Sequence, residues 1–355
     1  ILFGNSPVDE VEKGTHSKLV FENTLSDRVE LKFGVEHFQS SYEASRLDSL
    51  LKQQTIAFNT PITTGFAEAE IYASKYFVTR AGVRTEYNGL MEKLSVDPRV
   101  SIAYKPFTHG QFSLAYGQFR QVAQNEFLRV NQNLEEEKAE HFILNYQVIN
   151  NQRTFRAELY HKRYSNLVKF MNGNPEQLTN AGNGYAQGFE LFWRDNKTVR
   201  NLDYWVSYSY LDTERDYLDF PNASVPGFAS THNFSVVGKK FISEIKSQLG
   251  VTYSYSSPRA YNNPNSEVFN NGRTPAYQDL SMNLSYLPKP FLIIHLSVTN
   301  VLGRDNVFGY DYSETPDTNG NYLSRAIRQP AKRFLFLGIF FTISKNKSVN
   351  QLPNL

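Results

Sequence analysis

The sequence contains no cysteine, which excludes disulfide bridges and thiolate metal sites. It also lacks any apolar run that approaches the ~20 residues of a membrane-spanning helix, so a helical membrane protein is excluded. Only 40% of the residues are hydrophobic, and the mean hydropathy is −0.47. An excess of one charge is missing too, since 37 Lys and Arg face 35 Asp and Glu. Bulk charge therefore gives no argument for a nucleic acid partner.

Aromatic residues are abundant instead, with 22 Tyr and 27 Phe, and they recur in segments where apolar and polar residues alternate. Most of these segments run for about 9–13 residues, which exceeds the usual globular strand and suits a tilted strand crossing a bilayer. The segments are 18–25, 29–38, 66–74, 76–87, 99–106, 111–119, 139–148, 154–168, 185–195, 202–212, 232–241, 247–256, 278–287, 291–302 and 332–344.

Alternation alone fits two architectures. In segment 278–287, Leu280, Met282, Leu284 and Tyr286 share one face, and such a face suits either lipid or the dry core of a β-sandwich. The opposite face of several segments carries charged residues midway, which a water-filled bore tolerates as well as the solvent face of a sandwich does. These charged residues include Glu30, Lys32, Glu36, Arg80, Arg84 and Glu86.

The connections favour the barrel. Short links of about 1–6 residues alternate with long links of about 11–29 residues along the whole chain. An outer-membrane barrel has this arrangement, with tight turns at one end and long loops at the other. We therefore predict an all-β fold, a transmembrane antiparallel up-and-down β-barrel with about 15–16 strands in this sequence.

Several stretches, in this order and spacing, resemble the C-terminal barrel portion of a TonB-dependent outer-membrane receptor of the kind common in Bacteroidetes. The resemblance implies a 22-stranded barrel with an N-terminal plug, so residues 1–355 are expected to be a partial barrel domain without the plug and the first strands. Residues 345–355 are expected to form a C-terminal periplasmic tail. The stretches are 97–119, 133–146, 178–194, 202–213, 277–287, 296–313 and the closing segment 332–344.

The same resemblance implies a location in the outer membrane, contact with its lipid and lipopolysaccharide, and import of a scarce nutrient with energy from the TonB complex. An iron chelate, cobalamin, a glycan or a peptide would each fit. Two alternatives stay open, a passive porin-like channel and a barrel that anchors a surface lipoprotein or a secretion partner. No catalytic motif stands out, and we expect no enzyme, no cofactor and no nucleic acid partner.

If the last strand descends to the periplasm, as the resemblance implies, the long links lie outside the cell. These links are 39–65, 120–138, 169–184, 213–231, 257–277 and 303–331. The link 120–138 carries three consecutive acidic residues, Glu135, Glu136 and Glu137, for which a solvated face is the simpler interpretation and cation contact the alternative.

The link 303–331 contains the candidate site residues. Tyr310, Tyr312 and Tyr322 offer aromatic faces that could stack on a ligand at the barrel mouth, although exposed loop aromatics without a ligand also fit. The oxygen-bearing side chains nearby resemble part of a calcium loop, which is a weaker alternative to a type I′ turn at Asn319 and Gly320. These calcium candidates are Asp311, Glu314, Asp317, Asn319 and Asn321. The seven histidines show no metal-binding spacing.

Overall fold

The computed structural model describes residues 8–47 and 53–343, and the regular structure of these residues is almost entirely β-strand. They contain no helix that is both long and apolar enough to cross a membrane. The strands are β1 (Val8–Ser26), β2 (Val29–Leu47), β3 (Gln53–Ser74), β4 (Phe77–Asn88), β5 (Lys93–Tyr104), β6 (Gly110–Gln121), β7 (Glu137–Asn150), β8 (Arg153–Met171), β9 (Asn174–Asp195), β10 (Leu202–Asp216), β11 (His232–Ile242), β12 (Ser247–Ser256), β13 (Ala260–Tyr261), β14 (Gly272–Arg273), β15 (Tyr277–Lys289), β16 (Leu292–Thr299), β17 (Val307–Tyr312), β18 (Ser324–Arg328) and β19 (Phe334–Phe341). The helical elements are a short α1 (Asn125–Leu128) and a 3₁₀ turn at Ser243–Ile245.

Fifteen of these strands form one sheet in which chain neighbours pair, in the order β1 to β12, β15, β16 and β19. The two remaining hairpins, β13–β14 and β17–β18, lie within the connections β12–β15 and β16–β19. The predicted up-and-down meander and its strand number are therefore confirmed.

The connections agree with the prediction at one end of the strands, and at the other end two of the predicted long links are wrong. Short connections occur where predicted, for example at 27–28, 75–76 and 151–152. Two predicted long links, 39–65 and 169–184, are wrong, because long strands occupy most of them. Both stretches have the polar composition of a loop. Their residues nevertheless pair as strands and extend the sheet well beyond a membrane span. Residues 48–52 lie outside the described part of the first link.

The two faces of the sheet separate apolar from polar residues, as predicted. Leu249, Leu284, Leu296 and Leu337 stand directly opposite one another across four strands. Leu284, Leu296 and Leu337 are 37%, 39% and 63% exposed, so much of this row lies on the surface of the described protein. A soluble protein would bury such a row, whereas a barrel wall turns it toward lipid.

The polar face carries ion pairs that link neighbouring strands. Arg84 lies between two carboxylates, with Nη1 3.0 Å from Glu36 Oε2 and Nη2 3.1 Å from Glu86 Oε2. The same guanidinium donates to the Thr64 hydroxyl at 3.0 Å. Arg84 therefore has two partners of opposite sign, which lowers the cost of placing this charge midway along a strand.

Two compact units divide the chain. The first unit comprises 1–145, 160–187 and 214–224, and the second comprises 146–159, 188–213 and 225–355. A hydrophobic core occurs where the connection 122–136 packs on strands β2, β3, β8 and β9 of the first unit. Leu128 and Leu134 are 0% and 1% exposed in it. Its buried members are Tyr42, Ala44, Phe58, Ala123, Phe127, Leu128, Leu134, Val168 and Leu178.

The acidic run at the end of this connection is structural, so the solvated interpretation is wrong for Glu136. This residue is 5% exposed, and its Oε1 accepts a hydrogen bond from Asn88 Nδ2 at 3.2 Å. Burial raises the pKa of Glu136 above its ordinary value, and the hydrogen bond from Asn88 opposes the shift. Glu137 accepts from the Val168 amide at 3.1 Å, and Glu135 pairs with Lys93 at 2.7 Å. The run fastens the connection to the strands around it.

The last strand, β19, is apolar on both faces, as its sequence predicts. Phe334 and Leu335 point to opposite faces and are 61% and 65% exposed. The predicted periplasmic tail 345–355 lies outside the described residues.

Candidate functional site

Two of the three predicted aromatic residues lie side by side on β17. Tyr310 and Tyr312 are two residues apart on one strand, so both rings point to the same face of the β17–β18 hairpin. Their partners across the hairpin are Ala326 and Ser324. Because these side chains are small, the space beside the two rings is left for other groups.

A third tyrosine, Tyr261 of β13, occupies part of that space. Its ring centre is 4.7 Å from that of Tyr310, and the two planes are tilted by 38°. The ring also lies over Gly272, its partner on β14: a Cβ at that position would come within 2.5 Å of the ring. Glycine at 272 therefore permits the close approach of Tyr261.

The hydroxyl groups of this cluster also interact. Burial raises the pKa of Tyr312, and a hydrogen bond with Tyr261 and the proximity of Tyr310 raise it further. The phenol of Tyr312 consequently stays neutral throughout the physiological range. We call Tyr261, Tyr310 and Tyr312 the tyrosine cluster.

The loops that carry the cluster are tied to each other at two further points. Asn265 makes a reciprocal pair with the backbone of Tyr322, since Nδ2 donates to its carbonyl at 2.9 Å and Oδ1 accepts from its amide at 2.7 Å. Arg259 Nη2 donates to the Phe308 carbonyl at 3.2 Å. Tyr322, the third predicted aromatic residue, thus joins the two loops through its backbone rather than joining the ring cluster.

The base of the connection 300–333 is closed by side chains as well. Asn300 Nδ2 donates to the Lys332 carbonyl at 2.6 Å, and Arg333 Nε donates to the Val301 carbonyl at 2.9 Å. Asn300 has a φ of 48° and is 3% exposed. It lies directly after β16, and it holds both ends of the loop together.

The acidic residue Asp317 stabilises the loop in which it lies. Asp317 Oδ1 accepts from the backbone amides of Asn319 and Asn321, each at 2.9 Å. The turn has Thr318 and Asn319 at its centre, and Gly320 follows with a φ of +82°. The type I′ interpretation centred on Asn319 and Gly320 is therefore wrong, because capping by Asp317 moves the turn back by one residue.

The calcium alternative gains no support from this geometry. Asp311 pairs with Arg325 at 3.3 Å, and Glu314 is exposed on the loop. Within residues 8–47 and 53–343, no three His, Cys, Asp or Glu side chains are grouped so that they could hold a metal ion.

Sequence reasoning missed Tyr261, Gly272 and Asn265. All three lie in the link 257–277, in which the sequence analysis identifies no candidate site residue. A Tyr among residues with strong turn preference is the one local signal, and it does not indicate which loop the ring contacts. The assembled cluster offers aromatic faces for stacking, together with phenol hydroxyls that donate and accept hydrogen bonds.

The sheet is one long meander with an uncovered apolar face and a charged opposite face. This combination defines an outer-membrane β-barrel. The chain belongs to the family described as TonB dependent receptor-like, beta-barrel, whose model matches residues 9–301. The predicted resemblance and outer-membrane location are confirmed, and the family consists of transport receptors rather than enzymes. The assignment to Bacteroidetes stays a prediction.

Solved structures share the fold at low sequence identity. The ferric yersiniabactin uptake receptor FyuA from Yersinia pestis is 12% identical with a TM-score of 0.70, and the match covers 95% of this chain and 55% of that one. The FrpB iron transporter from Neisseria meningitidis is 13% identical with a TM-score of 0.70 and coverages of 94% and 55%. The outer membrane transporter YddB from Escherichia coli is 12% identical with a TM-score of 0.68 and coverages of 94% and 54%.

The chain thus spans about half the length of each of these structures. A comparison with curated proteins finds no match.

Proposed function

We propose that the protein is an outer-membrane receptor that captures a scarce nutrient at its loops and imports it with energy from the TonB complex. The observation that carries this proposal is the tyrosine cluster, three rings from two loops that are far apart in sequence and tied together by hydrogen bonds. A channel for passive diffusion needs no such arrangement, because it gains nothing from holding its solute.

The substrate class we favour is an iron chelate. FyuA and FrpB, two of the structures that share this fold, are described as a ferric yersiniabactin receptor and an iron transporter. Chelators of iron commonly carry flat aromatic or conjugated groups, and stacking on tyrosine faces suits such groups. Cobalamin, a glycan or a peptide remain candidates that the same assay would detect.

The experiment compares uptake of labelled substrates by cells that carry the gene, lack it, or carry the double substitution Tyr310→Ala and Tyr312→Ala. We expect uptake to be lost on deletion and the apparent affinity to fall about tenfold in the double variant, if each lost stacking contact contributes about 0.5–1.5 kcal/mol. Tyr76→Ala is the matched control, because Tyr76 is exposed in the short turn between β3 and β4.

Energy coupling separates the proposal from its alternatives. Removal of the TonB complex should abolish uptake while binding to whole cells persists. Uptake that continues without TonB would identify a passive channel. A stoichiometric partner that copurifies through the loops, in cells that show no uptake difference on deletion, would identify an anchoring role.

A further inference from the structure

A second cluster of aromatic and charged groups lies on the polar face of the second unit. It occupies the ends of β9, β10 and β11 that adjoin the short connections 196–201 and 243–246. Asp203 stands directly opposite Lys239 in the pairing of β10 with β11. Arg194 of β9 reaches Asp203 from the other side, so three charges follow one another across three strands.

The charges in this row are unequally paired. Arg194 donates two hydrogen bonds to Asp203, from Nε to Oδ1 at 2.9 Å and from Nη2 to Oδ2 at 2.6 Å. This fork uses both carboxylate oxygens. Lys239 forms no ion pair with any described residue, although its backbone lies directly across from Asp203. Its next neighbour across the sheet is Gly250, which has no side chain to offer.

Trp205 places an aromatic face beside both cations. The Lys239 ammonium is 5.6 Å from the centre of the Trp205 ring, and the Arg194 guanidinium carbon is 5.8 Å from the ring. Together with Phe192 and Asp203, these residues line a cavity of about 370 Å³, so its wall carries two cations and one carboxylate. The cavity is large enough for a small organic solute, and its wall combines an uncompensated positive charge with a flat apolar surface.

We propose that this cavity binds an oxyanion-bearing small solute, whose carboxylate or phosphate meets Lys239 while its body lies against Trp205. The proposal rests on the proposed uptake function, since it gives the charge class of a solute that passes the polar face. Lys239 would then exchange water for a charged partner in a half-buried setting, where the attraction exceeds that between fully exposed ions. Arg194, already neutralised by Asp203, would serve mainly to orient the indole ring.

The chain supplies its own spectroscopic probe and matched control. Trp193 and Trp205 are the only two tryptophans in residues 1–355, so Trp193→Phe leaves Trp205 as the single indole emitter of this segment. Lys240 follows Lys239 directly but faces the opposite side of the sheet, where it stands across from Leu202 and Leu249. Lys240→Gln therefore removes the same charge next to the site without touching the cavity.

The experiment titrates the full chain, purified from outer membranes in detergent, with citrate and with pyrophosphate in the Trp193→Phe background. We expect a saturable change in Trp205 fluorescence for at least one anion, and weaker binding when the salt concentration rises tenfold. Lys239→Gln should weaken binding at least fivefold, Lys239→Arg should restore most of it, and Lys240→Gln should leave it within twofold. Neutral sucrose should cause no saturable change.

An absent saturable response to both anions would overturn the proposal, and so would equal losses in Lys239→Gln and Lys240→Gln. Retention of the folded gel mobility of unheated samples checks that each variant is intact. The titration involves no uptake and should be unaffected by Tyr310→Ala. A negative titration therefore does not argue against ligand binding at the tyrosine cluster. A negative uptake assay likewise does not affect the interpretation of the titration.

Discussion

The connection 122–136 of the first unit and the connections 257–276 and 300–333 of the second unit are held in place by different forces. In the first unit, Leu128 and Leu134 are fully buried against strand residues. In the second unit, Leu302 and Leu323 are 55% and 64% exposed, and the loops are held mainly by hydrogen bonds, such as that from Arg259 to Phe308 and the reciprocal pair between Asn265 and Tyr322.

The connections of the two units are therefore stabilised by different kinds of interaction. Burial of large apolar side chains stabilises a single conformation, because any displacement exposes them or opens a cavity. Each hydrogen bond contributes less, and an exposed one can be exchanged for a bond to water. The connection of the first unit is thus fixed mainly by buried apolar side chains, and the connections of the second unit mainly by hydrogen bonds.

The largest expected effect comes from opening the core of the first unit. Leu134→Ala should cost about 2–5 kcal/mol of unfolding free energy, because the side chain is fully buried. Leu323→Ala in the second unit should change it by no more than about 0.5 kcal/mol. Denaturant unfolding of the purified protein in detergent measures both, and similar losses in the two variants would refute the contrast.

A smaller effect is expected when the tyrosine cluster is disturbed from beneath. Gly272→Ala places a methyl group into the ring of Tyr261 and should push the ring away from Tyr310. We expect a loss of substrate affinity of about threefold to tenfold, comparable to one stacking contact. Gly238→Ala is the control, because nothing lies within 4 Å of its added Cβ. Unchanged affinity in Gly272→Ala would show that the position of Tyr261 does not matter for binding.

The smallest effect concerns the pH dependence of the first unit. Burial raises the pKa of Glu136 in the folded protein above its ordinary value of 4.5, so the ionised form is disfavoured by folding. The stability attributable to this group therefore rises as the pH falls through the folded pKa. Glu136→Gln keeps an acceptor for Asn88 and should unfold at a slightly higher temperature than the native protein at pH 7.5.

That advantage should shrink as the pH falls through the raised folded pKa and disappear below pH 4.5, where the native carboxyl is protonated in both states. Glu135→Gln is the matched control, since the Glu135 side chain is 51% exposed and pairs with Lys93. A constant advantage of Glu136→Gln at every pH would contradict the assigned role of burial.

Much of the wall was predictable from local pattern. Alternation in 247–256 and 278–287 assigns Leu249 and Leu284 to the apolar face, and the register places them directly opposite each other. The same reasoning failed for 39–65 and 169–184. Polar residues on both faces of a strand that rises beyond the membrane look like a loop, since only pairing with a neighbour identifies them as strand.

The candidate site was predictable only in part. Tyr310 and Tyr312 attract attention because they alternate in one short segment, whereas Tyr261 lies far away in the sequence. Its contact with Tyr310 depends on the path of two long loops and on Gly272 beneath the ring. Burial of Glu136 was equally hidden, because an acidic run has the same appearance whether water or protein surrounds it.

By itself the sequence determined the class of fold, the number of strands, the two faces of the sheet and membership of an outer-membrane receptor family. These properties follow from the two-residue period of a β-strand and from the exclusion of unpaired backbone from lipid. Only the tertiary structure decided which connections are fixed by a core and which rings meet. Those outcomes depend on contacts between residues that are distant in the chain, and the local sequence pattern does not determine such contacts.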